Sequence, residues 1–257
     1  VRIRHHACLT NHLDAAHQGT RVITLHTANT QNGIKIPVAL EELGLDYRLV
    51  LVDLAAGHQR SPEFLALNPN GRIPVLIDTD GPLAGEALFE SGAILWYLGE
   101  HYGRLLPADP AARLRALQWL NLQVAAVGPM FGQAGWFLRA APQRIDFAVE
   151  RYVGEARRLS AVLEQRLQDH AWLAGDEYSV ADIAHYGWLS RAEYADITLD
   201  DFPALRRWVD RITQRPAVQR AIRRLAEARA RPDSGHGLEK ATGSWPTRSG
   251  AAAETAS

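Results

Sequence analysis

The spacing of apolar residues changes character about two-fifths of the way along the chain. Upstream, short apolar runs are cut by turn residues. Val22-Ile-Thr-Leu-His26 reads as a first strand, and Gly33 to Leu43 as a helix with Ile36, Leu40 and Leu43 on one face and Gly44 as its stop. Pro37 then falls in the first helical turn, where its missing N–H costs nothing. Tyr47 to Asp53 predicts a second strand. Asn68-Pro69 and Asn70-Gly71 punctuate a turn, the run ending at Ile77 reads as a third strand, and Ala87 to Phe89 as a fourth after a loop carrying Gly81, Pro82 and Gly85. The last two strands form an antiparallel hairpin, and a helix follows from Ser91 to about His101.

Downstream the period is helical. Leu114, Leu117, Leu120, Val124 and Val127 recur at three and four until Gly128-Pro129 interrupts, and Ile145, Val149, Tyr152, Ala156, Leu159, Leu163 and Leu167 recur likewise, so these two helices are predicted to pack as a pair. A proline inside a helix costs about 3 kcal/mol, which predicts a kink at Pro129 that re-aims Gln133, Trp136 and Phe137. Ser179-Val-Ala-Asp182 is a capping box opening a helix through Trp188. Pro203 starts a helix to Gln214, and Arg215-Pro216 breaks into a last one ending near Arg229. The pattern predicts an α+β chain, a βαβ-ββα domain followed by an all-α helical bundle. The expected divisions are a flexible extension at 1–20, the sheet domain at 21–103, a linker at 104–110, the helical domain at 111–229 and a disordered tail at 230–257.

The full chain has 257 residues, 47% of them hydrophobic and 22% charged, enough for a sizeable core in two domains. A formal net charge of −1 gives no global field that would draw nucleic acid or an anionic membrane. No apolar run reaches the ~20 residues of a membrane span, and residues 1–19 lack the apolar core of a secretory signal, so a cytoplasmic location is expected. One cysteine, Cys8, excludes an internal disulfide framework and a Cys-x-x-Cys pair. His5, His6, His12 and His17 share the N-terminal stretch with it at spacings that match no zinc template, so no metal is expected.

Candidate chemistry begins at the hairpin. Pro74 suits an edge position, and an Ile73-Pro74 bond at a tight turn is a candidate for the cis isomer, which would turn the peptide groups of Ile73 outward to pair with an extended, peptide-like ligand. Ser91, at a helix N-terminus, offers a hydroxyl and free N–H groups to a carboxylate.

Pro69-Asn-Gly-Arg-Ile-Pro-Val-Leu76 followed by Phe89-Glu-Ser-Gly-Ala-Ile94 resembles the glutathione-binding half of the glutathione S-transferase superfamily, and the likeness runs from about Val22 to Ile222. Thr30-Gln-Asn-Gly-Ile-Lys35, Val52-Asp-Leu54, Gly57-His-Gln-Arg-Ser-Pro-Glu-Phe64, Gly128-Pro-Met130, Ala141-Pro-Gln143 and Glu150-Arg-Tyr152 are similar to the Nu class and to a related nitrogen-regulation protein. Gln31 stands where Nu-class loops carry a proline. Asn29, Gly135, Trp136 and Leu138 also depart from the pattern around the second substrate.

The resemblance implies a thioredoxin-like N-terminal domain, glutathione as cosubstrate and a homodimer. It places the Thr30 hydroxyl and the Asn32 amide near the glutathione sulfur as catalytic groups, although either residue is also a plausible helix cap. It assigns Glu90 and Ser91 to the glutamyl amine and carboxylate, Ile73 with Pro74 to the cysteinyl part, Gln59 to the glycyl end and Arg151 to a second glutathionyl unit. Reduction through a protein mixed disulfide has no cysteine to use besides Cys8, so the expected activity is disulfide-bond reduction by bound glutathione thiolate, with conjugation or peroxidase side activity toward a small electrophile. The alternative is a non-catalytic glutathione-binding regulatory protein of the same fold.

Overall fold

The structure, a computed structural model, describes residues 22–230. The expectations for residues 1–20, Cys8 and the four histidines, and for almost all of the tail, lie outside the described residues. The N-terminal half comprises β1 (Ile23–Thr27), α1 (Lys35–Leu43), β2 (Arg48–Leu51), a short 3-10 turn (His58–Arg60), α2 (Pro62–Leu67), β3 (Val75–Asp78), β4 (Ala87–Phe89) and α3 (Ser91–Tyr102). Its four-stranded sheet has the order β2-β1-β3-β4. β1 runs parallel to β2, with Leu25 opposite Leu49, and antiparallel to β3, with Leu25 opposite Leu76; β3 pairs antiparallel with β4. The strand-to-strand crossover through α1 and the final hairpin are those predicted, and the Ile73-Pro74 bond is cis.

Alternation along β1 buries Ile23, Leu25 and Thr27 on one face, and Ile23 and Leu25 join one apolar cluster with residues of α1 and α3. The other face is closed by α2, which sets Phe64 against Val52 and Val75. From sequence this helix was not anticipated, although Ser61 caps it through the Phe64 N–H and Pro62 opens it.

The helical half comprises α4 (Pro110–Leu122), a π-helical turn (Gln123–Val127), α5 (Gly128–Arg139), α6 (Asp146–Asp169), α7 (Val180–Leu189), α8 (Pro203–Thr213) and α9 (Pro216–Ala230). Two expectations change. The predicted kink at Pro129 is a π turn placed just before it; a wider turn leaves a backbone acceptor free of the proline's missing donor. The predicted pairing also shifts, because α4 packs chiefly on α7 while α5 packs on α6. Leu114 is 68% exposed and Val124 36%, whereas Ala116, Trp119, Leu120, Gln123 and Val127 are buried. The true inward stripe of α4 and the π turn contains a small and a polar residue, which an apolar-period reading passes over.

The capping box is formed as predicted, with Ser179 and Asp182 satisfying each other's backbone ends. One hydrophobic core runs from Ile23 through α1 and α3 to Trp208 and Leu225, so the two halves share their interior. Charge closes the seam. Arg215 forks onto Glu42 at 2.5 and 2.8 Å, and Arg220 and Arg224 converge on Glu41, joining the last helix to α1.

Candidate functional site

The loop between β1 and α1 is pinned from within. The Thr27 hydroxyl donates to the Gly33 carbonyl at 2.9 Å, and the Gly33 N–H donates to Thr30 Oγ1 at 3.0 Å. A Cβ at residue 33 would stand 1.9 Å from the Ala28 carbonyl oxygen, so only glycine lets the chain close this tightly. Thr30 therefore does cap the irregular turn that leads into α1. Its oxygen accepts there, while its own O–H hydrogen remains available for donation.

The same loop is held from the other half of the molecule. Trp188 Nε1 donates to Asn32 Oδ1 at 2.9 Å, and Arg191 donates to Asn29 Oδ1 at 2.7 Å. An indole N–H can only donate, so its partner on Asn32 has to be the oxygen, and the amide Nδ2 is turned onto the opposite branch of the side chain. Helix α7 comes this close at Gly187, where a Cβ would lie 2.2 Å from the Gln31 carbonyl oxygen. The restraint that a proline at position 31 would impose is thus supplied by contacts across the domain boundary.

Asn32, Asn68, Arg72, Ile73, Pro74, Glu90 and Ser91 line one cleft. Five of the residues singled out in the sequence meet there: Asn32, Ile73, Pro74, Glu90 and Ser91. Asn68 shapes the loop by donating to the Arg72 carbonyl at 2.7 Å and accepting from the Asn70 N–H at 2.9 Å. Glu90 holds φ +70°, ψ 113° at the entrance to α3, a conformation costing on the order of 1–3 kcal/mol for a non-glycine residue. Its carboxylate makes no capping bond and borders the cleft instead. Thr30, Gln59 and Arg151 stand outside this lining. Gln59 is buried in the turn after β2, its Oε1 unpartnered among the described residues, and Arg151 is exposed on α6.

Beneath the cleft lies Lys35, the last residue of the Thr30–Lys35 motif. Its side chain is 1% exposed, and its Nζ donates to Ser91 Oγ at 3.2 Å and to Gln123 Oε1 at 2.7 Å. Burial pushes its ammonium down to about 7, against the opposing pull of the Glu90 carboxylate. His185 on α7 is also fully buried; desolvation, with a smaller repulsion from Lys35, brings it down to about 3. Its Nδ1–H donates to the Ala181 carbonyl at 2.9 Å, which leaves Nε2 as a bare acceptor. That atom and Gln123 Nε2 have no partner among the described residues. The signal available in the sequence was a lysine inside the apolar run Gly33-Ile-Lys-Ile-Pro37. Trp188, Arg191 and Gln123 gave none, since each meets its partner from far along the chain.

Among the described residues no group of histidine, cysteine, aspartate or glutamate side chains could hold a metal ion. No helix there is long and apolar enough to cross a membrane. The cleft presents an amide on one wall, a carboxylate and a helix N-terminus with its serine hydroxyl on another, and the Ile73-Pro74 backbone between them. Those are recognition groups for a zwitterionic, peptide-like molecule.

Comparison with known proteins agrees. The family model for the glutathione S-transferase N-terminal domain matches residues 21–100, and that for the C-terminal domain matches residues 128–216. Disulfide-bond oxidoreductase YfcG of Escherichia coli is 46% identical over 215 residues, 83% of this chain and 100% of that protein. A glutathione transferase from Burkholderia graminis, solved with two glutathione molecules bound per subunit, superposes with a TM-score of 0.73 at 42% identity, covering 78% of this chain and 87% of that one. One from Pseudomonas putida, solved with a glutathione disulfide bound per subunit, has a TM-score of 0.73 at 39% identity and covers 80% and 93%. With both domain models matched in order on a shared thioredoxin-like and helical architecture, this chain belongs to the glutathione S-transferase family.

Proposed function

We propose that this protein is a glutathione-dependent disulfide-bond oxidoreductase of the Nu-class type, in which the thiolate of bound glutathione is the nucleophile. The observation that carries the reading is the Trp188 bond to Asn32 Oδ1, which commits the Asn32 amide N–H groups away from the indole on a side chain lining the cleft. A free thiol with a pKa near 8.5 is only about 3% ionised at pH 7. Charge-assisted donation from Asn32 and the Thr30 hydroxyl shifts that balance by roughly one to two pH units, worth about 1.4 to 2.7 kcal/mol.

In the reaction, the bound thiolate attacks one sulfur of a disulfide and the second leaves as a thiolate that takes up a proton. The product of this step is a mixed disulfide with glutathione. A second glutathione thiolate attacks the glutathione sulfur of that mixed disulfide, releasing the remaining thiol and glutathione disulfide. Two glutathiones are oxidised for each disulfide reduced. Glu90 and Ser91 hold the glutamyl amine and carboxylate, and the Ile73 backbone beside Pro74 takes the cysteinyl unit. The exposed Arg151 is assigned to the second glutathionyl group and Gln59 to a supporting role at the glycyl end. The relatives named above, an oxidoreductase and proteins solved with two glutathiones or with the disulfide, support this stoichiometry.

A cytoplasmic location and a homodimer belong to the same proposal; exposed Leu65, Leu83 and Phe147 offer apolar surface for self-association. The test is steady-state turnover of glutathione with a small dialkyl disulfide beside an aromatic halide, in the parent and in Cys8→Ser. Disulfide reduction that exceeds conjugation and survives the substitution is the expected result. Loss of reduction in Cys8→Ser would restore a protein mixed disulfide, and tight glutathione binding without turnover would turn the reading to a regulatory protein.

A further inference from the structure

The cleft wall that carries Ser91 rests on a buried electropositive node. Lys35 is the first residue of α1 and reaches Ser91, the first residue of α3, so its ammonium stands where two helices present N-terminal ends. Each end favours an anion and disfavours a cation. From the helical half the π turn brings in Gln123, whose oxygen accepts from Lys35 while its amide nitrogen stays unpartnered. The charged and titratable groups facing this node are Glu90 at the head of α3 and His185 on α7. Glu90 alone among them bears negative charge, and it borders the cleft, where a ligand's ammonium would draw on it.

Because the ammonium has only donors, Ser91 Oγ must accept from it, and the Ser91 O–H hydrogen is free to point into the cleft. Building on the glutathione reading above, we propose that Lys35 is the positioning residue of the carboxylate subsite: it orients the Ser91 hydroxyl toward the glutamyl carboxylate and supplies the buried positive charge that this carboxylate neutralises.

The free protein then holds a buried cation that Glu90 offsets only in part, and the ligand stabilises it in its charged form. With the free ammonium brought down to about 7, binding near neutrality draws a proton onto Lys35, and affinity declines as pH rises past that value. S-methylglutathione is the probe, because it has no thiol to ionise. Titration calorimetry on the full chain, in two buffers of different ionisation heat, should show uptake of about half a proton per site at pH 7, with affinity falling about tenfold between pH 6 and pH 8.

Lys35→Met keeps the length of the side chain without its charge; it should bind roughly tenfold to a hundredfold more weakly at pH 6 and show a flat profile and no uptake. Gln123→Glu sets a carboxylate against the ammonium, so the uptake should vanish there too while binding persists. Parent protein that binds the probe with no proton uptake and the same affinity at pH 6 and pH 8 overturns the role of Lys35, whatever the stability of the variants. Uptake that survives intact in folded Lys35→Met overturns it as well. Absence of any binding by the parent would instead refute the glutathione reading on which the role rests.

Discussion

Among the described residues the charged side chains of Lys35 and Asp182 are fully buried, and they are hosted in opposite ways. Asp182, in the first turn of α7, accepts from the backbone N–H groups of Leu173 and Ser179, the Ser179 hydroxyl and the Trp208 indole, at 3.0 to 3.1 Å. Lys35 meets two neutral oxygens and lies among polar atoms that are themselves unpartnered. Burial raises the Asp182 carboxyl, yet every hydrogen bond around it pulls the other way. Nothing comparable restores Lys35. A buried charge with its bonding complete fastens a fold, whereas one left short, under a cleft, is arranged for a charge that arrives with a ligand.

The largest effect should come from breaking the complete partner. Asp182→Ala strands the Leu173, Ser179 and Trp208 donors in the core, and urea unfolding should report a loss of about 3 to 5 kcal/mol with glutathione affinity of the folded protein little changed. A loss under 1 kcal/mol would mean the contrast drawn above is false. Next in size is Asn32→Ala, or Thr30→Ala, which should lower turnover at neutral pH roughly tenfold to a hundredfold and recover part of it at high pH, where the thiol ionises unaided. An unmoved pH-rate profile in both would leave these residues as loop braces.

Trp188→Phe sharpens the point, since it keeps the ring and removes the N–H that sets the Asn32 amide. Turnover should fall about tenfold with KM nearly constant, against a stability cost of about 1 kcal/mol. The smallest effect concerns His185, whose folded value near 3 lies below the ordinary 6.5. Between those values the unfolded chain holds the extra proton, so stability is full above pH 6.5 and declines as pH falls, by about 1 kcal/mol from pH 6.5 to 5.5. Unfolding midpoints of the parent and His185→Gln at those two pH values measure it, and equal slopes in both would assign the decline to other groups.

How far all this could be read from sequence follows from where the partners lie. β1, β3, β4 and the capping box at Ser179 are written in local alternation and punctuation, and they appear where expected. The cleft was legible to the extent that Asn32, Ile73, Pro74, Glu90 and Ser91 belong to three short motifs. Gln59 and Arg151 were carried by resemblance alone, and neither they nor Thr30 joins the lining. Trp188 meets Asn32 across 156 positions, and Gln123 meets Lys35 across 88, separations at which no periodicity speaks. The helix pairing differs for a related reason: along α4 and the π turn that continues it, the buried face is marked by Ala116 and Gln123, a small and a polar residue that an apolar count passes over.

The π turn at Gln123–Val127 can also be understood as a matter of phase. A helix that gains one residue without gaining a turn is rotated by about 100° beyond that point, so α4 and α5 run on as one rod whose two segments face different neighbours. Upstream, Trp119 meets His185 of α7; downstream, Phe131 and Ala134 enter the core while Trp136 and Phe137 gather with Tyr152 of α6. Excising a single residue there would restore an ordinary helix and at one stroke turn that aromatic group off its bearing and draw Gln123 away from Lys35. The extra residue is the setting that keeps two otherwise independent surfaces of the helical half in step with the loop above them.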